Sequence, residues 1–292
     1  MQMKQIYQHF MLSMQGVRAK GTINWYKARL KPLISNYGEL DIEQIDIHLL
    51  RQMRANLAGR ELLYENASNR PMVEGQLSSA TIRGHVRATR RLFNWATEEG
   101  FIEESPAQRL QMPPKETEPR RGIADKDREA MLDVVSDEPR DYAILMFIWE
   151  TACRREGLVG LTFSKIDLKL QEAIVHEKGK SRTVYFEEGA RDALQAYMKV
   201  HPGGRDVFVG RQGPLTARGI YDVFERAAEK AGVTELWSPH QWRHARARYW
   251  SKNGMPLKQV SQLLGHSDIS VTASHYADFA RPDLKAAYHK YS

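Results

Sequence analysis

His240 and Arg243 stand three residues apart in SPHQWRH, residues 238–244. On a helix that spacing is close to one turn, so both side chains can address the same point. Downstream, Leu257, Val260, Leu263 and Leu264 recur at helical spacing behind Pro256, which suits a first turn. Gly265 then ends that helix as a left-handed C-terminal residue, and His266 follows at once. Ser270 or Thr272 is placed to cap a short last helix carrying Tyr276. Upstream, Arg154 follows a long apolar run and has Leu158 and Leu161 as near neighbours. A buried lone charge is very costly, so this arginine pairs with a carboxylate such as Glu150 or Glu156, or lines a cleft. Lys178 lies beside Lys180 and Arg182 in HEKGKSR, between two β-like stretches. Singly, each residue has a plain role: surface charge for the lysine, packing for the histidines and for one tyrosine among 12. Jointly, the two histidines, Arg243 and Tyr276 of the one stretch 238–276, spread over two helices, a tight turn and a third helix, could gather cations around an anion and set a phenol beside it.

Such residues need a scaffold. The 292 residues favour two domains, and 42% hydrophobic content is enough for real cores. Helical periodicity fills the first third. One apolar stripe runs through Ile23, Tyr26, Leu30, Leu33 and Ile34, from near Thr22 to Gly38. A second runs through Leu49, Leu50, Met53 and Leu57. Residues 58–77 lack a steady period and read as a long loop or small hairpin. A third helix starts at Ser78 or Ser79 and ends at Gly100, with Ile82, Val86, Phe93 and Ala96 on its apolar side. Its other side carries Arg83, Arg87, Arg90 and Arg91, either a solvated face or a row laid along phosphates. Proline and charge gather in residues 111–122, the expected interdomain linker.

Beyond it, a helix is expected around Arg128–Val135 and a buried one over Tyr142–Thr151. Ala173–Val175 and Thr183–Phe186 read as the arms of a hairpin, and helices follow at 188–199 and 216–231. The expected class is mainly α with a small antiparallel β-sheet, in two domains: 1–112, a linker at 113–122, and 123–292 including a C-terminal tail.

The net charge of +7 suits a polyanionic partner, though a basic protein with solvated faces fits it equally well. The single cysteine, Cys153, excludes an internal disulfide and a zinc-holding cysteine cluster. The N-terminal stretch MQMKQIYQHFMLSM is too polar for a signal peptide or a membrane span, so a cytoplasmic setting is expected.

The ordered set Arg154, Lys178, His240, Arg243, His266, Tyr276 resembles the tyrosine recombinase family, the phage-type integrases. TACRREGLVGLTFSKID is similar to the family's first arginine box, with Leu161, Ile166 and Asp167 in register without a gap. HEKGKSRTV resembles its lysine hairpin, SPHQWRH its second box, and LLGHS its histidine turn. The resemblance covers residues 123–285; the first domain fits the family's helical core-binding domain by pattern and position. Two features depart from it. Gly157 stands where the family has an acidic residue, and Glu156 is the acid available to take that role. The spacing from His266 to Tyr276 is ten residues rather than the more usual nine.

The resemblance implies a C-shaped clamp on double-stranded DNA and a tetramer acting on two inverted-repeat sites, with accessory DNA-bending proteins among the expected partners. It implies no metal and no cofactor; Arg154, Arg243 and His266 would hold the phosphate. Tyr276 would be the nucleophile, His240 its base and Lys178 the acid. A relaxing or hairpin-forming enzyme would share this chemistry, and a DNA-binding regulator would keep the fold without the reaction.

Overall fold

The computed structural model describes residues 1–63, 72–115, 122–266 and 268. Two compact units divide the chain, Met1–Glu118 and Pro119–Ser292.

The first unit is built from α1 (Met3–Ser13), α2 (Lys20–Tyr37), α3 (Ile47–Ala58) and α4 (Ser79–Glu98). Asp46 and Ser78 begin the last two by accepting the backbone N–H groups of Leu49 and Thr81. Such caps satisfy amides that the helix itself leaves unpaired. The short strands β1 (Leu62–Leu63) and β2 (Val73–Glu74) pair antiparallel. α4 packs against the other three helices. The core takes Leu30 and Leu33 from α2, Leu50, Met53 and Leu57 from α3, and Leu92 and Phe93 from α4.

The arginine face of α4 is not an open row. Arg83 and Arg90 donate to the carbonyls of Pro113 and Leu110. Arg54 reaches the Gln111 carbonyl at 2.8 Å. Arg91 pairs with Glu98 at 2.9 Å, and Arg87 lies 5.8 Å from the Trp25 ring centroid. The chain leaving this unit runs back along α4, and its carbonyls take guanidinium donors. Residues 110–114 therefore pack against the first unit, and the division between the units, at Glu118/Pro119, falls within the expected linker; 116–121 lie outside the described residues.

The second unit holds α5 (Asp125–Asp133), α6 (Pro139–Thr151), α7 (Glu188–Lys199), α8 (Ala217–Ala231), α9 (Pro239–Lys252) and α10 (Leu257–Leu263). Strands β3 (Ile166–Asp167), β4 (Glu172–Glu177) and β5 (Lys180–Tyr185) form one antiparallel sheet in that order. β6 (Val209–Gly210) and β7 (Gly213–Pro214) make a separate pair. The apolar run of α6 is buried because α5, α7, α8 and α9 surround it; Ala143, Ile144, Leu145, Phe147 and Ile148 are fully buried. Trp242 of α9 is also fully buried and stands edge-on to Trp149 and Phe224. A smaller cluster of Ala152, Ala247, Val260 and Leu264 ties the end of α6 to α9 and α10. That cluster sets the floor on which the charged residues stand.

Among the described residues, no helix is long and apolar enough to cross a membrane. Among them also, no group of three or more His, Cys, Asp or Glu side chains is placed to hold a metal ion.

Candidate active site

The end of α6 sets up the site. Ala152 takes the left-handed conformation at φ 47°, which turns the chain sharply and leaves Arg154 extended at the start of a short 3-10 turn. Left-handed geometry is uncommon outside glycine. Here the Ala152 methyl is fully buried, and its carbonyl accepts Arg243 Nη1 at 2.5 Å. Arg243 Nη2 also donates to the Leu264 carbonyl and lies 3.4 Å from His266 Nε2. Burial, and next the neighbouring Arg154 charge, lower the Arg243 pKa to about 10, which still leaves it cationic at neutral pH.

His266 reaches Arg243 through a tight helix end. Past α10, the Gly265 N–H bonds the Gln262 carbonyl at 2.9 Å and the His266 N–H bonds Ser261 at 3.0 Å. Gly265 has φ 61°. This paired pattern is a Schellman ending, with glycine in the left-handed position that the sequence suggested.

Lys178 sits at a hairpin tip. Glu177 pairs with Lys180 across β4 and β5, so the loop is only Lys178 and Gly179, shorter than the HEKGKSR turn expected. Their φ values of 48° and 78° belong to the mirror-image turn that matches strand twist. The expected turn was too long because the strand pairing continues through the charged residues to Glu177 and Lys180.

One cleft of about 370 Å³ is lined by Arg154, Lys178, His240 and Arg243. His240 Nε2 lies 2.9 Å from His244 Nε2, one turn further along α9. His266 is tied to this group through its contact with Arg243. Tyr276, its expected cap and the C-terminal tail lie outside the described residues.

Arg154 pairs with neither Glu150 nor Glu156, the two expected acids. The Glu150 carboxylate accepts the backbone N–H groups of Glu187 at 2.7 Å and Ala190 at 3.1 Å, capping α7. Glu156 pairs with Arg155 at 3.1 Å, on the exposed side of the 3-10 turn, so it does not take the place of the missing acid. The partner is Glu177: its Oε2 accepts Arg154 Nη1 at 2.7 Å, and its Oε1 accepts the Arg154 backbone N–H at 2.5 Å. Arg182 joins the same carboxylate at 3.3 Å and donates to the Leu263 carbonyl at 2.8 Å. Glu177, Arg182 and His244 were not among the candidate residues. A signal for Glu177 was present, since Ala173, Val175 and Glu177 alternate along β4 and all three face the core.

Cys153 also lines the cleft. Burial, with the Glu177 charge beside it, raises its pKa to about 12, so it is a neutral packing thiol and not a nucleophile.

The fold is that of integrases. The structure of the Tn1549 transposon integrase in complex with a circular intermediate DNA superposes with a TM-score of 0.77, covering 98% of this chain and 99% of that one at 19% identity. A lambda integrase dimer bound to a COC′ core site gives 0.74 over 94% and 95% at 16% identity. The chain belongs to the phage integrase family, whose model matches residues 123–281. It is a tyrosine recombinase, 33% identical over 233 residues to the tyrosine recombinase XerC of Bacillus subtilis, covering 74% of this chain and 75% of that protein. XerC of Azotobacter vinelandii is 32% identical over 225 residues, covering 72% and 73%.

Proposed function

We propose that this recombinase cuts and rejoins duplex DNA through a 3′-phosphotyrosine intermediate, with Tyr276 as the nucleophile. Arg154 and Arg243 bind the non-bridging oxygens of the scissile phosphate, and His266 is a further donor. Guanidinium groups suit this task because they can give paired hydrogen bonds to phosphate oxygens. His240 takes the phenolic proton as Tyr276 Oη attacks phosphorus. The P–O5′ bond breaks, and Lys178 protonates the departing 5′ oxygen. Attack by a 5′ hydroxyl on the phosphotyrosine reverses these steps, reseals the strand and frees the phenol, so no ATP is consumed.

The observation that carries this reading is the gathering of Arg154, Lys178, His240 and Arg243 around one cleft, from segments as far apart as residues 154 and 243. The first unit serves as the helical core-type DNA-binding domain, and the substrate is a pair of inverted-repeat sites bound by a tetramer. The exchange integrates, excises or resolves a mobile element or replicon. The DNA carried by the Tn1549 and lambda integrases in their structures supports the same substrate class here.

The test is a covalent adduct. Nicked duplexes spanning the sequences on either side of the gene are incubated with the full chain, and protein–DNA linkage is read on a denaturing gel. The wild type forms an adduct and Tyr276→Phe forms none. An adduct that persists in Tyr276→Phe, or none from the wild type on any flanking duplex, refutes the assignment.

A further inference from the structure

We propose that Glu177 is the positioning residue of this site, aiming the Arg154 guanidinium at the phosphate from space that Gly157 leaves open. The proposal rests on the reading of Arg154 as a phosphate ligand given above. Glu177 is buried at 3% side-chain exposure, on a strand, where a carboxylate has little freedom to rotate. Both its oxygens are used twice. Oε2 takes Arg154 Nη1 at 2.7 Å and Arg182 Nε at 3.3 Å; Oε1 takes the Arg154 amide at 2.5 Å and Arg182 Nη2 at 3.3 Å. The amide contact fixes the backbone of Arg154 and the Nη1 contact fixes its tip, so the side chain is held at both ends. The remaining guanidinium N–H groups are left for the cleft that Arg154 lines. Among the described residues, no second carboxylate bonds Arg154 or Arg182, and none bonds Arg243.

Gly157 explains why the acid can come from β4. A Cβ at 157 would lie 3.0 Å from Glu177 Oε1 and 3.3 Å from its Cγ, so a side chain there and the Glu177 carboxylate compete for one space. Position 157 is where the family resemblance calls for an acid. The carboxylate is thus supplied to the same place from the opposite wall. Because Glu177 immediately precedes Lys178, the residue that aims the arginine also anchors the hairpin tip bearing the general acid. Burial alone would raise the Glu177 pKa, but the Arg182 charge and the Arg154 amide lower it below the ordinary glutamate value, so it is ionised at neutral pH.

Relocating the carboxylate tests this. Single-turnover adduct formation at saturating nicked duplex, duplex affinity and thermal midpoint are measured for Glu177→Gln, Glu177→Gly and Gly157→Glu/Glu177→Gly. A misaimed donor costs about 10²-fold in cleavage, so Glu177→Gln and Glu177→Gly fall by that order while affinity stays within about threefold. The double variant regains about tenfold or more over Glu177→Gly, a recovery that loss of a structural ion pair would not give. Cleavage by a folded Glu177→Gln protein within about threefold of wild type overturns the proposal and leaves the recombinase reading standing. So does a folded double variant with no recovery. If Glu177→Gly fails to fold, the near-isosteric Glu177→Gln carries the test alone. Undiminished adduct in Arg154→Ala overturns the underlying reading and this proposal with it.

Discussion

Gly265→Ala would strike the site through its backbone. At φ 61° an alanine is in the left-handed region, which costs about 1–2 kcal/mol. The new Cβ would also stand 2.9 Å from Arg182 Cδ and Nε. Arg182 must swing away, breaking its 2.8 Å bond to the Leu263 carbonyl. A charge-assisted bond of that kind contributes about 1.5–3 kcal/mol. The total, roughly 2.5–5 kcal/mol, corresponds to a fall of about 5–20 °C in the melting transition of a unit this size. Cleavage should fall about 10²-fold as well, since the same turn carries His266 to Arg243. The informative measurement is a cycle with Arg182→Ala, followed by thermal unfolding. With Arg182 already truncated, Gly265→Ala should cost only the backbone term of about 1–2 kcal/mol, giving a coupling of about 1.5–3 kcal/mol. Equal costs in both backgrounds would show that Arg182 does not fill the space beside Gly265, and the reasoning would fail.

Lys178→Asn separates stability from chemistry. Asparagine before Gly179 suits the two-residue mirror turn better than lysine, so the melting point should hold or rise by the equivalent of up to about 1 kcal/mol. Adduct formation should nonetheless drop by about 10² or more, and a variant that cleaves normally removes Lys178 from the reaction. Arg83→Ala and Arg90→Ala should loosen residues 110–114, seen as faster limited proteolysis there. Unchanged proteolysis with weakened DNA binding would instead mark these side chains as phosphate contacts. Glu177 gives a pH signature. Its folded pKa lies below the ordinary 4.5, so its stabilisation is fully present above that value and is lost as pH falls through the folded pKa. Glu177→Gln should therefore have the shallower loss of stability on the acid side; parallel acid limbs for the two proteins would mean the carboxylate gains nothing from its arginines.

Local signals made much of this legible in the sequence. Gly265 followed by His266 announced a helix end and what it delivers, because a Schellman ending is specified within six residues. His240 and Arg243 shared a face because helical spacing requires it. The α6 run read as buried because it has no polar side. What the sequence hid were long-range pairings. Glu177 and Arg154 are 23 residues apart, and nothing local says which acid an arginine will meet. Glu150 was nearer along the chain, but α7 required it to cap unpaired amides. The α4 arginines read as an open face because the chain that returns along them, 110–114, lies some twenty residues downstream of Arg90.

The way the arginines are fastened bears on what they can do. Arg243 is bonded to the Ala152 carbonyl at the end of α6 and to the Leu264 carbonyl at the end of α10. Arg182 takes the Leu263 carbonyl beside it. Helix C-termini expose carbonyls without intrahelical partners and carry partial negative charge, so they orient a guanidinium without discharging it. A carboxylate at each arginine would orient it equally well but would cancel the field needed at a phosphate. Glu177 is the one formal negative charge bonded to Arg154 and Arg182 among the described residues, and none is bonded to Arg243. Three cations against one anion leave the cluster positive. Backbone carbonyls therefore hold most of the geometry, and a single acid holds the rest. The site can be rigid and still strongly attract an anion, which is the combination that stabilising a phosphoryl transition state without reorganisation demands.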